Sequence, residues 1–217
     1  MSEPSVTATA EAPVRPDQEW ANALSHAIAT ILSVVAGIYL VGQALSTDRD
    51  MAIAVFAYMA TVFATFFAST LSHVFLTQPW LNRFRALDQA MIYLMIVGTY
   101  TPIAFQFASD SVRAPLITTI WVAALTGAFA KLFLRHRVNA VGTVSYLLLG
   151  WLPAIPLVCS VPTALAWGML LGGVSYSVGV AFLMNDHRMK YMHVIWHFWV
   201  MAAATIHFLT ILWFVVR

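Results

Sequence analysis

His193 and His197 are the strongest chemical signal in the chain. Residues four apart on a helix share a face at roughly 5–6 Å, so these two imidazoles can clasp one metal ion, as in helical His-x-x-x-His zinc sites. His73 offers a third imidazole. Three histidines with one position left for water is the ligand pattern of a catalytic zinc, and zinc lowers the pKa of a bound water to roughly 7. Asp88 can hold such a water and take its proton. Ser69, one turn before His73, can donate a hydrogen bond to an oxyanion or to a substrate. Glu19, Asn22 and His26, at spacings of three and four, share a helix face and form a candidate second shell. Imidazole also suits iron, copper and nickel, so zinc is inferred from ligand type alone.

Each residue taken singly has a structural reading as well. His193 and His197 can be a helix-packing pair, and Asp88 can complement the positive end of a helix dipole. Ser69 can bond back to its own helix, and Glu19, Asn22 and His26 can cap a helix start. His136 and His187 stand in basic loops and read as solvated. His207 is ten residues past His197, about 15 Å further along a helix, so it cannot share the same ion and reads as a packing or hydrogen-bonding residue.

The elements that must position these groups are membrane helices. Of 217 residues, 61% are hydrophobic and 9% charged, where a soluble domain has about 25% charged. A spanning helix needs about 20 mostly apolar residues. Seven stretches qualify, near 21–45, 51–76, 87–108, 114–134, 138–158, 162–184 and 192–216, separated by short polar breaks. No stretch alternates as a strand would, and lipid admits only helices or closed barrels. The expected fold is an all-α, seven-transmembrane helix bundle over 19–217, behind a flexible cytoplasmic tail at 1–18. Pro102, Pro153 and Pro156 fall inside spans, where proline tends to kink a helix. Gly37 and Gly172-Gly173 suit close helix packing.

Orientation follows from the basic residues. Arg15, Arg83, Arg85, Lys131, Arg135, Arg137, Arg188 and Lys190 fall on the side of the N-terminus, and Arg49, Arg113 and Arg217 on the other. That places the N-terminus in the cytoplasm and the C-terminus outside. Span two then ends, and spans one, three and seven begin, at the cytoplasmic leaflet. His73, Asp88, His193, His197 and the Glu19 face are therefore expected at one depth although far apart in sequence. The formal net charge of +2 gives no argument for nucleic acid. Cys159, the single cysteine, excludes an internal disulfide and is expected to be a buried small side chain.

The motifs EWANALSH (19–26), STLSH (69–73), LDQAMIYLMIVGTYTP (87–102) and HVIWHFWVMAAATIHF (193–208) resemble, in this order, those of the hemolysin III family, the bacterial branch of the progestin and adipoQ receptor family. The resemblance covers nearly the whole chain after the tail. It implies zinc ligands at His73, His193 and His197, an aspartate at Asp88 that contacts zinc through water, and Ser69 beside the site. It also implies a multi-pass protein of the bacterial inner membrane. Ser72 stands where relatives often have Tyr, Gln89 where many have His, and Ser25 where Thr is usual.

Three functions follow. The first is a zinc-dependent intramembrane hydrolase of a lipid amide or ester, suggested by the alkaline ceramidases of the wider superfamily, with a membrane lipid as substrate or ligand and a role in membrane-lipid homeostasis. The second is a receptor or sensor in which zinc is structural. The third is the cytolytic role that the family name implies, although no span carries a polar stripe along its full length. Protein partners are not specified by the sequence.

Overall fold

The structure is a computed structural model, and it describes residues 16–134 and 139–217. Among the described residues seven α-helices follow one another: α1 (Pro16–Leu45), α2 (Arg49–Val74), α3 (Trp80–Phe107), α4 (Asp110–Phe133), α5 (Asn139–Trp151), α6 (Thr163–Met184) and α7 (Met192–Ile211). Six of them are long and apolar enough to cross a membrane, and α5, with 13 residues, is not. The expected fifth span, 138–158, is thus not a continuous helix. It passes into a 3₁₀ turn at Leu152–Ala154 and then into turns up to Ser160. Pro153 and Pro156 account for this, since proline lacks an N–H and clashes with the preceding turn. Pro102, by contrast, is carried within α3.

Two helices begin earlier than hydropathy suggests. α3 starts at Trp80, so most of the charged break TQPWLNRFR is helical. α1 starts at Pro16, within the expected tail, and the rest of that tail lies outside the described residues. So does His136. At the start of α2, Asp48 caps the helix by accepting the backbone N–H of Asp50 at 2.9 Å.

α1 packs on α2, α2 on α3, α3 on α4 and α6 on α7, α5 touches its neighbours only slightly, and α7 returns against α1. The distribution of polarity is that of a lipid-solvated bundle. Apolar side chains face outward, with Ile38 73% exposed and Ile31, Phe129 and Phe133 also bare. Polar side chains turn inward: Glu19, Asn22, Ser25, His26, Ser69, Ser72, His73 and His197 are all buried. In water such a surface would drive aggregation, whereas in a bilayer it is the ordinary arrangement. The chain is therefore a multi-pass membrane protein.

Small residues set the close helix contacts, as membrane packing requires. A Cβ on Gly37 would lie 3.4 Å from that of Met59, and one on Gly173 would touch the Trp151 ring. Gly172 opposes the His207 ring, leaving no room for a Cβ. Phe63 and Phe67 stack on the outer surface while Phe66 is buried against His26. Cys159 departs from expectation. It is exposed, because it sits in the turn that follows the broken α5 rather than in a packed helix.

Candidate metal centre

α7 carries His193 and His197 in its first two turns, and α2 carries His73 in its last turn. One ring nitrogen of each lies within 4.8 Å of the others. Ring centroids are 5.1 Å apart for His73–His193 and His73–His197, and 4.8 Å for His193–His197. His73 and His197 are buried and His193 is half-buried. The three rings foreseen from spacing and threading therefore meet.

Each ring is held by a different partner on its Nδ1 atom. His73 Nδ1 lies 2.6 Å from Glu19 Oε2, and His193 Nδ1 lies 3.2 Å from Asp186 Oδ2. A carboxylate accepts, so both rings carry their proton on Nδ1. His197 Nδ1 lies 2.9 Å from Ser25 Oγ, whose own proton is donated to the Asn22 carbonyl at 2.8 Å. Ser25 must then accept, and His197 too is protonated on Nδ1. All three Nε2 lone pairs are left for an ion, which is the arrangement that outer partners impose on metal-binding histidines. His73 Nε2 is buried and has no hydrogen-bond partner, a costly state unless something binds it. An ion bonded at about 2.0–2.1 Å to each ring would draw the nitrogens to about 3.3 Å from one another, closer than the 4.8 Å within which they lie. The residues present fit a divalent metal with three imidazole ligands.

Asp88 stands outside the three-histidine set, within electrostatic reach of His73 and His193. Ser72 shares its proton between Asp88 Oδ2 at 3.0 Å and the Ser69 carbonyl at 2.8 Å, and the Ser69 side chain lies beside the same carboxylate. Ser72 thus reaches Asp88 rather than a histidine. Of the α1 face, Glu19 bonds His73. His26 stacks on His197 with centroids 3.6 Å apart, and Asn22 supplies the carbonyl that orients Ser25. Arg85 Nη2 lies 3.6 Å from Glu19 Oε1.

Sequence reasoning passed over Arg85 and Asp186 as contributors, and it singled out Ser25 and Ser72 only as departures from the family pattern, without their contacts. Ser25 precedes His26 within EWANALSH and was legible as part of a motif, though not for its contact. Asp186 lies in the α6–α7 turn, and only the folded turn brings it back to α7. That turn is fastened to α1, where Gln18 Oε1 accepts the Tyr191 N–H at 2.7 Å and Asp17 pairs with Lys190 at 3.0 Å. Tyr191 itself is left-handed, with φ 62°, an uncommon conformation for such a residue.

These groups open onto a cavity of about 1470 Å³. Asp88, His73 and His193 line one end, and His207 and Met169 line it further along the bundle. His207 is not part of the three-histidine group.

The haemolysin-III related family matches residues 14–208. Hemolysin-3 of Bacillus cereus is 32% identical over 206 residues, covering 91% of this chain and 92% of that protein. The Hemolysin-3 homolog of Bacillus subtilis (strain 168) is 30% identical, over 92% of this chain and 95% of that protein. Similarity extends to the monocyte to macrophage differentiation factor of Homo sapiens, 26% identical over 88% of this chain and 82% of that protein. No solved structure matches. With the family match spanning nearly all of the helical region, the chain belongs to the haemolysin-III related family.

Proposed function

We propose that the protein is a zinc-dependent intramembrane hydrolase that cleaves an amide or ester bond of an acyl-chain lipid at the cytoplasmic leaflet. The observation that carries this reading is the set of three histidines with proton-fixed Nδ1 atoms beside Asp88, at one end of a large cavity. His73, His193 and His197 would hold the ion. Bound there, zinc supplies Lewis acidity, polarising a carbonyl and acidifying water. A structural zinc site is closed by four protein ligands, whereas three leave a position for chemistry. Asp88, steadied by Ser72 and Ser69, takes the proton of the attacking water as general base and returns it to the leaving amine or alcohol. On substrate binding the Ser69 hydroxyl turns from Asp88 to the carbonyl oxygen, since its one proton serves one acceptor at a time. The cavity receives the acyl chain, keeping water from the rest of the bundle.

The topology proposed with it has seven spans. The α5 segment continues through Val158 as a partly non-helical crossing, and Ala154 and Val158 line the cavity, where membranes tolerate irregular backbone. Eight of the eleven Lys and Arg residues fall on the side of the N-terminus, which supports a cytoplasmic N-terminus, an extracytoplasmic C-terminus and placement in the bacterial inner membrane.

The test is hydrolysis of N-acyl lipids by purified protein with and without zinc, comparing wild type with Asp88→Asn. Loss of turnover with retained metal supports the hydrolase. Undiminished cellular function of Asp88→Asn would instead favour a sensor with a structural ion. The names of the Bacillus relatives raise lysis as a third reading, and leakage of pure lipid vesicles on adding the isolated protein would favour it.

A further inference from the structure

His207 takes no part in the metal cluster, yet the fold makes a place for it. Gly172 of α6 opposes its ring, and a Cβ at that position would collide with the imidazole. The ring receives little in return. Its Nδ1 is buried without a hydrogen-bond partner, and its Nε2 lies 3.4 Å from the Met169 carbonyl oxygen, at the long limit of such a bond. An ionisable side chain inside a membrane bundle is costly and marks a site by default, and a buried orphan nitrogen adds to that cost. Tyr176, one turn beyond Gly172, lies beside it with ring centroids 5.7 Å apart. Both residues line the cavity that also reaches His193 and Asp88. Fourteen residues of α7 separate His193 from His207, about 21 Å at the helical rise, which is the reach of a long extended acyl chain. Between the two polar ends the lining includes Met95, Ile96 and Val200.

We propose that His207 and Tyr176 form a second recognition point in this cavity. Its ligand is a long-chain amphiphile bearing a neutral hydroxyl on the distal part of its chain. A neutral imidazole can both donate and accept, and so can a hydroxyl, whereas a charged group would be too costly at this depth. The proposal rests on the reading of the cavity as a lipid site, and it concerns binding rather than turnover.

The test uses the full chain in detergent, titrated with N-palmitoyl ethanolamine and with its ω-hydroxypalmitoyl counterpart, read by tryptophan fluorescence. Trp196 lines the cavity and supplies a reporter. The hydroxylated chain is expected to bind wild type roughly three- to tenfold more tightly, the value of one added hydrogen bond. His207→Leu abolishes that preference and Tyr176→Phe reduces it, both with unchanged metal content. Equal affinity of wild type for the two chains overturns the proposal, as does a preference that persists in His207→Leu. Should His207→Leu fail to fold, wild type and Tyr176→Phe decide it. Binding of neither chain overturns the lipid-cavity reading and this proposal together, whereas equal binding of both overturns this proposal alone.

Discussion

Ser25 of α1 accepts the Nδ1–H of His197 of α7 at 2.9 Å, because its own proton is already given to the Asn22 carbonyl. One hydroxyl thereby fixes which nitrogen of a ring in the three-histidine cluster carries the proton. Ser25→Ala removes that acceptor and leaves the ring only the neighbouring Asn22 carbonyl, at a cost of up to about 1–3 kcal/mol. Metal affinity is expected to fall roughly 10–100-fold, while Ser25→Thr, which keeps the hydroxyl, stays near wild type. Chelator competition measures both. Unaltered affinity in Ser25→Ala would remove the serine from the account.

Glu19 performs the same task for His73 with a charge, at 2.6 Å, and Arg85 stands behind it at 3.6 Å. Glu19→Gln keeps an acceptor but loses the charge, and Glu19→Ala loses both. The expected order of metal affinity is wild type, then Gln, then Ala, with Ala down roughly 10–100-fold. The same competition assay reads the series, and an inverted order would contradict the assignment.

In the proposed site protons would compete with the ion for the three Nε2 lone pairs, since only neutral imidazole ligates. Metal affinity should therefore fall steadily as pH is lowered, with proton release on metal binding at acidic pH. Calorimetry in buffers of different ionisation enthalpy measures that release. Binding without any pH dependence would be incompatible with histidine ligation.

Asp88→Asn keeps shape and removes the base. Turnover is expected to drop about 10²–10⁴-fold with metal content retained. Ser72→Ala, which loses the 3.0 Å bond to Asp88, should give a smaller loss in the same direction. Activity assays paired with metal analysis distinguish the two effects.

Two glycines test the packing. Gly172→Ala drives a Cβ into the His207 ring and should destabilise by about 1–3 kcal/mol. Gly42→Ala meets nothing within 4 Å and should stabilise α1 by about 0.5–1 kcal/mol. Thermal unfolding in detergent compares them, and equal effects would contradict the described contacts.

The histidine cluster was legible because two kinds of information fix it. A spacing of four puts His193 and His197 on one face, and antiparallel threading returns His73 to the same depth. The limits of α3 and α5 were not legible from hydropathy, which measures apolarity rather than helicity. The charged run before Arg85 is helical, whereas the apolar run after Trp151 is broken by Pro153 and Pro156. Asp186 escaped notice because a loop carboxylate gains its partner only through the left-handed turn at Tyr191. Cys159 was misplaced because its expected burial rested on the general preference of cysteine, whereas it stands exposed in the turn after α5.

The central claim is tested most directly by elemental analysis of metal in the protein purified without chelator, alongside His193→Ala/His197→Ala. The account predicts about one zinc per chain in wild type and none above background in the double variant. Full metal content in that variant, or a metal-free wild type that cannot be loaded with zinc, would contradict it.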